Sequence, residues 1–297
     1  FVLGRSPATE DLRSQLCRDL TERGLTVQQQ LLNHDCCEQD LQRIEASSRG
    51  LGCDAVIAAG GGKVLDAGKL LADRLNVACI TVPLSAATCA GWTALSNLYS
   101  PQGSFMGDQS LRRCPDLLVF DHDLLLQAPA RTLASGIADA LAKWYEASVS
   151  SGSSQDGLIQ QAVQMARVLR DQLLIDSVEA IRSPGGEAWR RVVDACGLTA
   201  GVIGGLGGAR CRTVAAHAVH NGLTQLEDCH HVLHGEKVGF GILVQLRLEE
   251  RLGGNRLAAQ AHRQLLPLLQ TLDLPVSLND LGLADASLRQ LQEVCQF

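Results

Sequence analysis

The chain is 297 residues long, 46% hydrophobic and 20% charged, with a formal net charge of −6 and a pI near 5.7. That is enough apolar material for a large core and two domains. The acidic balance argues against a nucleic-acid partner, and no apolar run reaches the ~20 residues needed to cross a bilayer. The eleven cysteines lack a C-x-x-C pair. They read as small buried residues of a reducing cytoplasm rather than as a disulfide framework.

Phe1-Val2-Leu3 reads as the end of a strand, and Gly4-Arg5-Ser6-Pro7 as the turn after it. Leu12, Leu16 and Leu20 recur at helical spacing behind Pro7. A second strand is expected over 26–32 and a second helix over 40–48. Asp54 to Ala59 is a short apolar run suited to a buried parallel strand. It leads into Gly60-Gly61-Gly62-Lys63 and a helix over 64–75, then a strand over 77–82. The alternation predicts an α/β fold: a Rossmann-like open parallel sheet with helices on both faces. A glycine turn between strand and helix lets backbone approach a pyrophosphate, which the free amides and dipole of the helix attract.

Val82 to Ser96 is rich in small and hydroxyl side chains, as a loop lying along a ligand would be. A hairpin is expected around Pro101-Gln102-Gly103 and a last strand over 115–120. From about Leu124 strands give way to helices: 136–149, 157–174, 189–200, 214–226, 237–252 and 257–269. The run Gly204-Gly205-Leu206-Gly207-Gly208 has no strand before it and reads as a loop or close helix packing rather than a nucleotide fingerprint. Two domains follow, 1–124 dinucleotide-binding and 125–297 all-helical.

Five of the eight histidines fall between positions 217 and 234. His217 and His220 share a helix face, as do His231 and His234. One residue of each pair would meet at a cation if the chain turns back between them. Asp139, alone among apolar residues at helical spacing, supplies a carboxylate that needs a positive partner.

The set Gly60-Gly61-Gly62-Lys63-x-x-Asp66, Val82-Pro83, Gly136-x-x-Asp139-Ala140-Leu141-Ala142-x-Trp144-x-Glu146-Ala147, His217-Ala218-x-His220-Asn221-Gly222 and His234-Gly235-Glu236-Lys237-Val238 resembles the glycerol dehydrogenase group. That group belongs to the metal-dependent, iron-type alcohol dehydrogenase superfamily. The resemblance runs in register over nearly the whole chain. It implies a dehydroquinate synthase-like architecture and hydride transfer between NAD(P) and a small alcohol, polyol or 2-hydroxy acid. Implied metal ligands are Asp139, His217 and His234. Lys143 stands where the iron-binding branch has a histidine, so zinc is expected, with iron(II) as the alternative. His220 and Cys89 would face the substrate, His220 as a proton relay. Arg5, Gly61, Gly62, Lys63, Asp66, Thr88, Thr93, Leu95 and Tyr99 match positions bordering the coenzyme. A homo-oligomer is implied, with a small molecule as substrate and no nucleic acid or membrane as partner.

Two departures matter. Cys89 replaces an aspartate that contacts polyol hydroxyls in the glycerol enzymes, and a neutral thiol is a weak hydrogen-bond partner. This departure counts against glycerol itself, and because a cysteine does not repel a substrate carboxylate, a 2-oxo or 2-hydroxy acid becomes a candidate. Arg5 stands where NAD-preferring members place an aspartate, so NADP is expected over NAD. The family pattern also extends beyond both ends of the chain. Two rivals are a dehydroquinate-synthase-like lyase, which would need Lys63, Lys143, Arg210, Arg212 and Lys237 for a sugar phosphate, and a non-catalytic cofactor-binding relative.

Overall fold

The computed structural model describes residues 1–211 and 213–296; Arg212, weighed above as a phosphate-binding cation, lies outside them. Two compact units form: 1–85 with 90–127, and 86–89 with 128–297. The boundary thus lies at 127/128, three residues past the expected one, and a four-residue excursion of the first half clusters with the second unit.

The first unit is a five-stranded sheet of β1 (Val2–Gly4), β2 (Gln29–Leu31), β3 (Ala55–Gly60), β4 (Ala78–Pro83) and β7 (Leu117–Leu118), in the order β2-β1-β3-β4-β7. Every pairing is parallel. Helices α1 (Glu10–Glu22), α2 (Glu38–Arg49) and α3 (Gly62–Leu75) cross between strands, and α4 (His122–Leu125) follows β7. Leu3, Leu41, Ile44, Val56, Ala58, Leu65, Leu70 and Leu71 fill the core. Strand order reverses between β1 and β3, so the turns after these two strands flank the sheet's topological switch point. That is where open α/β sheets bind ligands. β7 is shorter than the strand expected over 115–120. Pro115 has no amide hydrogen, and Asp116 turns its carboxylate onto the Cys79 amide at 2.8 Å.

The hairpin of β5 (Leu95–Tyr99) and β6 (Phe105–Ser110) packs on α3. Ser96 Oγ donates to the Asp66 carbonyl at 2.8 Å, and the Asn97 amide to Asp66 Oδ2 at 3.3 Å. Lys69, 2% exposed, pairs with Asp66 at 3.0 Å and donates to Thr93 Oγ1 at 3.0 Å.

The second unit is helical: α5 (Ala130–Ser151), α6 (Gly157–Arg182), α7 (Glu187–Asp194), α8 (Ala200–Gly207), α9 (Ala215–Leu223), α10 (His234–Gly253), α11 (Arg256–Thr271) and α12 (Leu288–Val294). α5 begins six residues before the expected start, directly behind Pro129. It is buried almost all round: Ile137, Ala138, Leu141, Ala142 and Ala147 have no exposure. The expected helix over 189–200 is α7 followed by a π turn at Ala195–Thr199. The glycine run is helical to Gly207, because α8 is otherwise apolar and packs on α6, where a Cβ at Gly207 would lie 3.3 Å from Ala162 Cβ. Of the two readings given to that run, close helix packing is the one found. No helix among the described residues is long and apolar enough to cross a membrane.

The buried Lys69–Asp66 pair gives a stability prediction. Lys69→Met leaves Asp66 unpaired in the core and should destabilise the protein by about 3–5 kcal/mol. Lys69→Met/Asp66→Asn should recover part of the loss. Urea unfolding measures both, and an unchanged midpoint in the single variant refutes the role assigned to the pair.

Candidate functional site

Asp139 projects from the middle of α5 and is 4% exposed. Its Oδ1 lies 3.1 Å from His234 Nε2 and 3.5 Å from His217 Nε2. The His217 and His234 ring centroids are 5.7 Å apart. One oxygen and two nitrogens from three helices thus converge within 4.8 Å of one another. Of the histidine pairs noted in the sequence, His231 faces Gly282, and His234 enters the site. His220 also joins, its ring 4.2 Å from that of His234.

Close helix contact makes this convergence possible. A Cβ at Gly235 would lie 1.8 Å from the Ser135 carbonyl oxygen, so only glycine lets the start of α10 rest on α5. The Gly235 amide donates to Ser135 Oγ at 3.0 Å. Arg131 clamps the same ends together through Glu236, at 2.5 and 2.7 Å. Gln245 of α10 accepts from the Ala216 amide of α9 and donates to the Tyr145 carbonyl of α5.

Glu146, two turns after Asp139, stands in the motif quoted from the sequence but has no role assigned to it there. His217 Nδ1 donates to Glu146 Oε2 at 2.5 Å, and Glu146 Oε1 accepts the Val214 and His217 amides at 2.8 and 2.9 Å. This fixes the His217 ring with Nε2 toward Asp139, as outer carboxylates do for metal-binding histidines. The i, i+7 spacing of two carboxylates on an apolar helix was the available signal.

The charges are tuned accordingly. Burial raises the Asp139 carboxyl, but Lys143, His217 and His234 override it and hold the group well below the usual range. Burial likewise opposes protonation of His217, yet Glu146 and Asp139 raise it to about 9. His220 is pushed well down, by burial first and then by His234, His217 and Lys237. His220 Nδ1 lies 2.9 Å from Asn221 Oδ1. With that nitrogen donating, a neutral ring leaves Nε2 as a proton acceptor. The donor set of one carboxylate and two imidazole nitrogens, with a second carboxylate behind, fits a divalent cation such as zinc with an open position.

Cys89 is 8% exposed in the segment 86–89 of this unit. A Cβ at Gly136 would sit 1.9 Å from the Ala86 carbonyl oxygen, so α5 runs directly against that segment. The Cys196 thiol is pushed well up by burial, then by Asp139 and Cys89. Thr88 belongs to the same segment.

The remaining expected coenzyme residues lie in the first unit and fall into two groups. Gly61 caps α3, Gly62 opens it, and Lys63 follows. Lys63 Nζ sits 5.0 Å over the Tyr99 ring and pairs with Asp35, which also takes Arg5. These residues flank the switch point between β1 and β3. Asp66, Thr93 and Leu95 gather instead on Lys69, which donates to Thr93 Oγ1 and the Leu95 carbonyl and pairs with Asp66. Lys69 and Asp35 were both missed in the sequence. Nothing in the periodicity marks a lysine as buried.

A model of the iron-containing alcohol dehydrogenase family matches residues 1–122. Over 274 residues the chain is 57% identical to an uncharacterized oxidoreductase of Synechocystis sp., covering 92% of this chain and 71% of that protein. It is 38% identical over 257 residues to hydroxycarboxylate dehydrogenase A of Escherichia coli, covering 84% and 69%. The crystal structure of a probable glycerol dehydrogenase from Sinorhizobium meliloti superposes with a TM-score of 0.83 at 30% identity, covering 99% and 81%.

Cation binding should depend on pH in a defined direction. With its pKa raised to about 9, cation-free His217 carries a proton on Nε2 that a metal must displace. Affinity should therefore rise by about tenfold per pH unit between 6.5 and about 9, then level off. Without a cation the sign reverses: the stability His217 contributes is fully present below pH 6.5 and lost as pH rises through about 9. Zinc competition titrations and cation-free melting across that window measure both. A flat affinity refutes the assignment.

Proposed function

The chain belongs to the iron-containing alcohol dehydrogenase family, in its glycerol dehydrogenase group, and from that premise we propose how its residues divide the work, with zinc as the metal, NADP as the coenzyme and a 2-oxo or 2-hydroxy acid as the favoured substrate. The enzyme is an oxidoreductase that moves hydride between NAD(P) and a small alcohol, polyol or 2-hydroxy acid, or the matching carbonyl. The observation that carries the site assignment is the convergence of His217 and His234 Nε2 on Asp139 Oδ1.

Asp139, His217 and His234 would hold the cation, with Glu146 orienting His217. A divalent cation there supplies Lewis acidity that stabilises negative charge on the substrate oxygen, worth several kcal/mol. A nicotinamide coenzyme held by the first unit would supply the hydride chemistry. His220 Nε2 takes the hydroxyl proton in oxidation and returns it in reduction. Burial among cationic neighbours keeps that ring neutral and ready to accept.

Three ligands with Lys143 one turn beyond Asp139 support zinc over iron. The proposed coenzyme residues are Arg5, Gly61, Gly62, Lys63 and Tyr99 around the switch point, with Asp66, Thr93 and Leu95 supporting them through Lys69 and Thr88 beside Cys89. Arg5 is 40% exposed at its side chain, and Arg5 and Lys63 share the single carboxylate Asp35. Two cations against one anion leave a positive balance that suits a 2′-phosphate. Cys89 supports the acid substrate, because an uncharged thiol does not repel a carboxylate. The relative named hydroxycarboxylate dehydrogenase agrees with that choice. Many cysteines in buried positions are consistent with a reducing cytoplasm, and family membership with a homo-oligomer.

Asp139→Asn should abolish turnover and lower bound metal while leaving circular dichroism unchanged. Normal turnover in that variant removes Asp139 from the site. Arg5→Asp should lose about 1.5–3 kcal/mol of NADPH binding relative to NADH, tenfold or more in the ratio of kcat/KM values. An unaltered ratio shows that Arg5 does not read the phosphate.

A further inference from the structure

The loop between β2 and α2 carries a second set of donor atoms, in the first unit. A nitrogen of His34, the Cys37 sulfur and a carboxylate oxygen of Asp40 all lie within 4.8 Å of one another. Cys37 has no exposure and Asp40 1%. His34 Nδ1 is itself buried and has no hydrogen-bond partner, a costly arrangement for a polar atom. It stands 3.4 Å from Asp40 Oδ2. That separation matches the edge of a tetrahedron around zinc, about 3.4 Å for bond lengths near 2.1 Å.

Ordinary loop structure accounts for only part of this. Asp40 Oδ2 accepts the Asn33 and His34 amides at 2.8 Å each, and Oδ1 takes Arg43 at 3.1 Å. Those bonds explain the aspartate and would orient it as a ligand. They leave the His34 nitrogen unexplained. Cys37 occupies the N-cap of α2, a place usually held by an oxygen side chain, yet makes no capping hydrogen bond.

We propose that His34 Nδ1, the Cys37 thiolate and the Asp40 carboxylate form a second binding site for a thiophilic divalent cation of the zinc type. Binding displaces the Cys37 thiol proton to solvent, and thiolate plus carboxylate then neutralise the ion. Sulfur, nitrogen and oxygen together suit zinc or cobalt and not magnesium or calcium, which take oxygen ligands. The 32% exposed side chain of His34 leaves an approach for the ion and for a water as fourth ligand. Asp35, between two of the ligands in sequence, holds Arg5 and Lys63, so a bound ion pins the segment whose carboxylate holds them. The site is independent of the Asp139 centre and of the coenzyme reading.

Cobalt(II) tests this on the whole chain, stripped of metal and reloaded. The Asp139 ligand set contains no sulfur, so a near-ultraviolet sulfur-to-cobalt charge-transfer band reports the second site alone. The expected result is a band in the parent protein and in Asp139→Asn, and no band in Cys37→Ser, which also binds one cobalt fewer per chain. His34→Gln should weaken the titration of the band by tenfold or more, and it carries the test if Cys37→Ser is recovered only as aggregate. A parent protein without the band, a band that survives in Cys37→Ser, or an unchanged titration in His34→Gln overturns the proposal.

Discussion

Two carboxylates buried in one apolar helix set the terms for the helical unit. Asp139 and Glu146 are 4% and 1% exposed on α5, and an ionised carboxylate in such a place is tolerable only with positive or hydrogen-bonding partners. His217 stands between them and faces both, with Nδ1 on Glu146 and Nε2 toward Asp139. Without a cation that position favours the imidazolium, which neutralises one charge. A divalent cation there would neutralise more, and His217 would then serve as a ligand rather than an acid. The same charges therefore stabilise the folded centre and would set its affinity for a cation.

The price of that centre is strict helix geometry. His234 reaches Asp139 because the first turn of α10 lies against the backbone of α5, where Gly235 leaves no room for a Cβ. The Arg131–Glu236 clamp and the Gln245 bridge then fix α10 against α5 and α9 on both sides of the site. Ligands carried on packed helices hold their spacing better than ligands on loops. Segment 86–89 is drawn in by the same means at Gly136, which accounts for a stretch of the first half clustering with the second unit.

Much of this was legible in the sequence because the signals are local. Alternating apolar runs and helical spacing gave the parallel sheet and the helical half, and the Asp139, His217 and His234 motifs marked the residues that converge. What escaped depends on partners far apart in the chain. Lys69 reads as an ordinary solvent-facing lysine until Asp66, Thr93 and Leu95 surround it. Glu146 reads as a helix glutamate until two amides and an imidazole meet it. Asp35 is one acid in a polar loop until Arg5 and Lys63 both turn to it. The glycines at 204–208 leave loop and close helix packing open in the sequence, and the contact that decides is Gly207 against Cys211 and Ala162 of α6.

The placement of the cations also bears on which chemistry the chain can perform. A lyase acting on a sugar phosphate needs several cations directed at the phosphate. Here Lys237 is 5% exposed and donates to the Cys229 carbonyl at 3.0 Å. Arg210 pairs with Asp156 at 3.6 Å, and Lys63 shares Asp35 with Arg5. Lys143 acts on Asp139, the foremost opposing charge that lowers its carboxyl. Among the described residues, the basic side chains of the motif regions are thus engaged by Asp139, by backbone or by other carboxylates. Around Asp139 the helical centre instead gathers a neutral His220 ring and the His217 and His234 nitrogens, which with Asp139 could hold one cation. None of those groups is a free cation of the kind a sugar phosphate needs.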